Sequence, residues 1–137
     1  MRLENKVIVV TGSCTGIGKA IVRRCVTEGA SVLVHGLQAS LGESLVAELG
    51  SDRAALLIED LTNEGAPQRL VEFAVQRFGK LDAIVNNAAL IATGTIQDTS
   101  AERFNEFIRI NTLAPYLLIR AALPELRKRR GSVLNIG

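Results

Sequence analysis

The chain has 137 residues, 47% of them hydrophobic and 22% charged, with a formal net charge of +2. That length suits one domain, residues 1–137, with a buried core, and that composition excludes a disordered or collagen-like chain. The small net charge excludes whole-surface steering of nucleic acid, and no apolar run approaches the ~20 residues that cross a bilayer.

Met1–Lys6 leads directly into Val7-Ile8-Val9-Val10, so no room is expected for a signal peptide. The first strand is predicted over Lys6–Thr11. Gly12-Ser13-Cys14-Thr15-Gly16-Ile17-Gly18 follows, and Ile17, Ala20, Ile21 and Val22 begin the apolar stripe of a helix over Gly16–Thr27, ended by Gly29. A strand that passes through a glycine turn into a helix aims main-chain N–H groups and the helix dipole at one point. Such a point suits an anion, most often a nucleotide phosphate. Gly12 lets the chain leave the strand, Gly16 lets the backbone approach a diphosphate, and Gly18 lets the helix sit against the strand. The spacing is not G-x-G-x-x-G, so the fingerprint applies by mechanism only, and a glycine turn without a ligand is the competing reading.

Ser31–His35 is a second strand, and about Ser40 to Leu49 a second helix with Leu41, Leu45, Val46 and Leu49 on one face and Gly50 as its stop. Ala54–Ile58 is a third strand. Asn63–Phe78 is a third helix carrying Leu70, Phe73, Ala74 and Phe78, capped by Gly79. Leu81–Val85 is a fourth strand. A long helix from Ser100 to about Arg130 follows, with Ser100 and Arg103 forming an incomplete capping box, a kink expected at Pro115, and Pro124 near its last turns. Ser132–Ile136 is the fifth strand.

Apolar strands separated by helices predict an α/β, Rossmann-like, doubly wound parallel sheet in the order 3-2-1-4-5. Its fifth strand would leave Val133, Leu134 and Ile136 on an unpaired edge. The sheet is therefore expected to be incomplete on its C-terminal side, either cut from something longer or covered by another chain.

Two cysteines make no disulfide framework and point to a reducing cytoplasm. Cys14 reads as a small residue filling the turn rather than as a reactive thiol. Arg127-Lys128-Arg129-Arg130 sits where a helix ends, so it reads as a solvated terminus complementing the helix dipole, not as a nucleic-acid patch. His35, at the end of the second strand, is expected to be exposed. No cluster suggests a metal site.

With these features in place, the chain resembles the N-terminal, cofactor-binding half of a short-chain dehydrogenase/reductase, with matches in order along all 137 residues. Thr11-Gly12-(Ser13-Cys14-Thr15)-Gly16-Ile17-Gly18 fits the family's Thr-Gly-x-x-x-Gly-x-Gly turn. Asp60-Leu61 fits its adenine contact, and Asn86-Asn87-Ala88-Ala89 fits Asn-Asn-Ala-Gly, with Ala89 in place of the glycine. Asn111, in Arg109-Ile110-Asn111-Thr112, fits the catalytic-site asparagine of the long helix, and Gly131–Gly137 fits the strand that leads to the catalytic serine.

The resemblance implies a cofactor site made of Gly12, Ser13, Cys14, Thr15, Gly16, Ile17, Gly18, Gly36, Leu37, Asp60, Leu61, Asn87, Ala88 and Ala89, taking NAD or NADP. It implies hydride transfer between the nicotinamide and an alcohol or carbonyl substrate and a homo-oligomer; charge and hydropathy, as above, point to no nucleic-acid or membrane partner. The family's serine and Tyr-x-x-x-Lys would lie beyond Gly137. Tyr116, the only tyrosine, has no lysine four residues on, so the 137 residues alone are expected to be inactive. His35-Gly36-Leu37-Gln38 carries neither the acid of NAD users nor the arginine of NADP users, so both coenzymes stay open. From the residues alone, Asp60 is as well suited to capping the third helix as to holding adenine, and Asn111, interrupting the stripe Phe104, Phe107, Ile108 and Leu118, could be purely structural. The competing functional reading is a non-catalytic nucleotide-binding or associating fragment.

Overall fold

The computed structural model describes all residues 1–137. Five parallel strands alternate with helices: β1 (Val7–Val10), α1 (Gly16–Thr27), β2 (Ser31–Gly36), α2 (Ala39–Leu49), β3 (Ala54–Ile58), α3 (Ala66–Phe78) and β4 (Ala83–Asn86). A helical stretch then runs as α4 (Ala101–Ile108), a π-helical turn (Arg109–Leu113) and α5 (Ala114–Arg129), before β5 (Ser132–Asn135). The sheet order is β3-β2-β1-β4-β5, as the strand–helix alternation predicts.

The core lies on both faces of the sheet because strand residues alternate sides. Ile8, Val10, Val32 and Val34 pack with Val22 and Cys25 of α1 and Leu45 of α2. Val9, Leu33 and Ile84 face the other way and pack with Leu70, Val71 and Ala74 of α3 and Leu118, Ala122 and Leu126 of α5. Both layers cover the central strands, so β1 is buried along its whole length. That burial explains a run of apolar residues without polar alternation.

Several boundaries differ from expectation. α3 begins at Ala66 rather than Asn63, because Asn63 and Gly65 form a turn: the Ala66 amide donates to the Asn63 carbonyl, and Gly65 takes a left-handed φ of 74°. β4 begins at Ala83. Ahead of it, Asp82 is buried and its carboxylate accepts from the Val7 amide at 2.9 Å, with Lys6 and Lys80 at 3.8 and 3.5 Å.

The long helix carries its irregularity in the π-helical turn, immediately ahead of Pro115, whose ring and missing N–H cannot continue a regular i→i−4 ladder. Of its expected stripe only Leu118 is buried; Phe104 and Ile108 stand exposed, because α4 extends past the covering layer. Ser100 does cap α4, its Oγ accepting from the Arg103 amide at 3.1 Å. β5 is the outer strand on its side, with Val133 and Leu134 exposed.

Candidate cofactor site

Parallel strands bring all their carboxyl ends to one edge of the sheet, and the crevice there is where ligands of such folds bind. Gly12 follows β1 at this edge, Gly36 closes β2, Asp60 lies just past β3, and Asn87 follows β4.

The turn from β1 to α1 is the centre of the site. Gly12 and Gly16 adopt φ of 61° and 55°, the left-handed region that glycine enters without penalty. The amides of Cys14, Thr15, Gly16, Ile17 and Gly18 donate no hydrogen bond within the protein. They are the unpaired donors of a helix N-terminus, concentrated beside open space at Gly16, where a Cβ would meet no atom within 4 Å. Ile17 is exposed on the rim of this opening.

Two side chains of the turn point inward instead. The Ser13 hydroxyl donates to the Val10 carbonyl at 2.7 Å and accepts from the His35 amide at 3.0 Å. Cys14 is buried against Gly36, where a Cβ would lie 2.5 Å from the Cys14 sulfur. Burial pushes the thiols of Cys14 and Cys25 up, so neither has the character of a reactive thiolate. Ser13 and Cys14 thus shape the turn, while the amides from Cys14 to Gly18 are left without an acceptor in the protein.

The turn is braced from two sides. On the β4 side, the Asn87 side-chain nitrogen donates to the carbonyls of Thr11 and Gly12 at 3.0 and 3.1 Å. The Thr11 hydroxyl oxygen accepts from the amides of Asn87 and Ala88, both at 3.0 Å. Asn86 turns away and donates to Asn135 Oδ1 at 2.8 Å, tying β4 to β5. On the β2 side stands His35, buried rather than exposed, with 3% of its surface accessible. Its Nδ1 accepts from the Gly12 amide at 3.1 Å and its Nε2 lies 2.7 Å from the Glu59 carbonyl. The strand end is overlaid by the glycine turn, and that cover buries the ring.

Asp60 does not cap α3. Its Oδ1 accepts from the Thr62 amide at 2.8 Å and the Thr62 hydroxyl at 2.7 Å, closing a local turn that holds the carboxylate at the sheet edge. These bonds, the Thr62 amide first, lower its pKa and keep it an acceptor. Leu61 is half-buried beside it, and Leu37 is exposed past Gly36. Ala89 follows the half-buried Ala88 at the β4 end and is exposed. Asn111 sits in the π-helical turn, where its Oδ1 accepts from the Leu90 amide at 2.8 Å and its Nδ2 donates to the Leu90 carbonyl at 2.9 Å. It fastens the segment after Ala89 to the long helix. Gly12, Asn87 and Ala88 are joined by hydrogen bonds through Thr11, and Asn111 is joined to the end of that segment; Gly36, Leu37 and Asp60 share the edge.

Two residues that matter here were not among the sequence candidates. Thr11 carried a signal, as a polar residue closing an apolar strand. His35 carried one too: alternation along β2 sets it on the same side of the strand as Leu33.

The arrangement is that of known proteins. The short chain dehydrogenase family model matches residues 6–137. L-fucose dehydrogenase of Mus musculus is 41% identical over 136 residues, an overlap of 98% of this chain and 49% of the relative. Momilactone A synthase of Oryza sativa subsp. japonica is 39% identical over 137 residues, 98% of this chain and 50% of the relative. Among solved structures, a blue fluorescent protein from a metagenomic library, crystallised in complex with NADPH, superposes with a TM-score of 0.92 at 32% identity, covering 100% of this chain and 57% of that one. A Serratia marcescens short-chain dehydrogenase/reductase superposes with a TM-score of 0.93 at 27% identity, again over 100% of this chain and 57% of that one. The chain spans about half the length of the curated relatives it matches. On the collinear match of turn, sheet edge and long helix, the chain belongs to the short-chain dehydrogenase family.

Proposed function

We propose that this chain is the dinucleotide-binding half of an NAD(P)-dependent oxidoreductase that interconverts an alcohol and a carbonyl compound. The observation that carries this reading is the run of unpaired amides from Cys14 to Gly18 in a turn that is open at Gly16. Five oriented donors at a helix N-terminus match a diphosphate in charge and geometry. The bound coenzyme supplies a hydride acceptor or donor at its nicotinamide ring.

The chain's own residues bind and orient. The turn amides hold the diphosphate, and the Asp60 carboxylate accepts from the exocyclic amine of adenine beside Leu61. Gly36 and Leu37 flank the adenosine ribose, and with no acid or arginine there the site takes NAD or NADP. Asn87, Ala88 and Ala89 line the floor between the adenosine and nicotinamide ends, and Asn111 positions the active-site wall through Leu90. The proton-transfer residues belong to the half beyond Gly137, so this chain binds coenzyme without turnover. The substrate is a small alcohol or ketone, as the relatives named fucose dehydrogenase suggest. The exposed apolar residues Phe104, Ile108 and Tyr116 support assembly with a second copy, and two buried thiols support a reducing, cytoplasmic setting.

Calorimetric titration of the chain with NADH and with NADPH tests the reading. Saturable binding of at least one, abolished by filling the turn with Gly16→Val, is expected. Absence of binding by both, or turnover of alcohols by these 137 residues at an ordinary rate, contradicts it.

A further inference from the structure

His35 is the only histidine in the chain. It is covered by the glycine turn and spends both ring nitrogens on main chain. The Gly12 N–H donates to Nδ1, so Nδ1 is bare; Nε2 then carries the proton and donates to the Glu59 carbonyl. Only the neutral ring in that single tautomer satisfies both partners. A protonated ring places an N–H against the Gly12 N–H, and two donors in contact repel.

We propose that His35 is a positioning residue for the phosphate turn: its uncharged imidazole fixes the Gly12 amide on one side and the Glu59 carbonyl on the other, so that protonating the ring loosens the turn and weakens dinucleotide binding. The imidazole therefore links the turn that grips the diphosphate to the segment that carries Asp60. Asn87 braces the turn from the β4 side through the Thr11 and Gly12 carbonyls, whereas His35 holds the Gly12 N–H, so neither replaces the other.

The charged surroundings are few. On the β3 side, Glu59 and Asp60 act on the ring, and the Glu59 carboxylate is itself paired with Arg69 of α3 at 2.9 Å. On the turn side the only titratable group is the buried Cys14 thiol, pushed up by burial. Burial lowers the imidazole pKa, and the Glu59 hydrogen bond and the two acids oppose this in part. The ring is thus neutral at neutral pH and takes its proton below the ordinary histidine range.

The proposal rests on the dinucleotide reading above, and the test separates the two. NAD⁺ is the probe, because its diphosphate keeps its charge across the range used. Nitrogen chemical shifts of the single imidazole are followed with the Gly12 amide from about pH 7.5 to about pH 5, alongside the NAD⁺ dissociation constant. An Nε2–H tautomer at neutral pH, a Gly12 amide that moves with the ring's titration, and binding weakened by about tenfold at the acid end are expected, one hydrogen bond's worth. His35→Asn puts an uncharged acceptor where Nδ1 stands, so it should bind NAD⁺ near the wild-type level with no imidazole-linked pH dependence. His35→Gln keeps a donor where Nε2 stands but offers Gly12 no acceptor, and should bind weakly at every pH.

An Nδ1–H tautomer, a Gly12 amide indifferent to the ring, or the same pH slope in wild type and His35→Asn overturns the positioning role while leaving the cofactor site intact. Failure to bind NAD⁺, NADH or NADPH at any pH instead removes the dinucleotide reading and the proposal with it. Should the variants not fold, the wild-type tautomer and the Gly12 shift still decide.

Discussion

Gly18 and Asn87 meet across the β1 turn so closely that a Cβ on Gly18 would stand 2.5 Å from the Asn87 side-chain nitrogen. The same Cβ would lie 2.5 Å from the Gly12 carbonyl oxygen and 2.8 Å from the Ser13 Cα. The glycine is therefore required by neighbours rather than by its own backbone angle. Without it, the amide that braces the turn from β4 could not reach the Thr11 and Gly12 carbonyls.

The last two glycines of the turn should respond differently to alanine. Gly18→Ala must push main chain aside and displace Asn87, and overpacking of this kind costs about 1–3 kcal/mol. Gly16→Ala meets open space and costs only the left-handed backbone, roughly 1–2 kcal/mol, with a direct loss in nucleotide binding because its methyl enters the diphosphate's place. Urea unfolding gives the stability of each, and the Asn87 side-chain amide resonance reports the brace. An Asn87 resonance shifted in Gly18→Ala and unmoved in Gly16→Ala is expected; the reverse pattern would show that the contact does not hold the turn.

Thr11 is buried, and its hydroxyl oxygen is the only acceptor given to the amides of Asn87 and Ala88. Thr11→Val keeps the shape and strands two amides. An unsatisfied buried donor costs about 1–3 kcal/mol, so the variant should lose stability by about 2 kcal/mol. Thr11→Ser should recover most of that. Hydrogen exchange at Asn87 and Ala88 adds a local reading: both amides should exchange faster in Thr11→Val, and unaltered protection at both would contradict the assignment.

The strand order was legible in the sequence because each strand is a short apolar run between helices and the chain reverses direction once, beside β1. The glycine turn was legible because its function needs small residues at fixed places. The role of Asp60 was only half legible: the residue was visible, but whether it capped α3 depended on the Gly65 turn, which moves the helix start three residues on. His35 was misjudged as exposed because burial at a strand end depends on what crosses over it. That cover is the glycine turn, seventeen residues or more away in sequence, and alternation along β2 sets the side His35 faces but not what lies over it. The stripe on the long helix failed for a related reason. Periodicity identified an apolar face on Phe104 and Ile108, but not whether this chain supplies the surface that covers it.

Asn111 holds Leu90 by both its amide and its carbonyl, the only side-chain bonds made by the segment between Ala89 and Gly94. Asn111→Ala removes both, and since exposed hydrogen bonds contribute about 0.5–1.5 kcal/mol each, global stability should fall little. The effect should be local: the Leu90 amide should exchange faster, and the resonances of Ala88 and Ala89 should broaden. Asn111→Asp keeps the acceptor for the Leu90 amide but sets a carboxylate against the Leu90 carbonyl, and should lie between. A Leu90 amide equally protected in all three proteins would remove Asn111 from its positioning role.

Stability should fall in two separate steps on acidification. His35 is neutral in the folded chain, and burial holds its pKa below the ordinary value of about 6.5. Its contribution is fully present above that ordinary value. Below it the unfolded chain binds a proton that the folded chain refuses, so stability drops until the folded pKa is reached, by about 1.4 kcal/mol for each unit of depression. The carboxylates lie further down. Hydrogen bonds from Arg2, Arg23, Arg69 and Thr62 lower Glu28, Glu48, Glu59 and Asp60, so their contributions are present above about pH 4.5 and are lost only below it. Glu48 and Asp60 are exposed, and the half-buried Glu28 and Glu59 each pair with an exposed arginine, so screening keeps this lower step shallow. Urea unfolding at a series of pH values should therefore show an upper step in wild type that disappears in His35→Asn, and a lower step common to both. An upper step that survives in His35→Asn would assign that proton to another group and leave the buried imidazole without a thermodynamic signature.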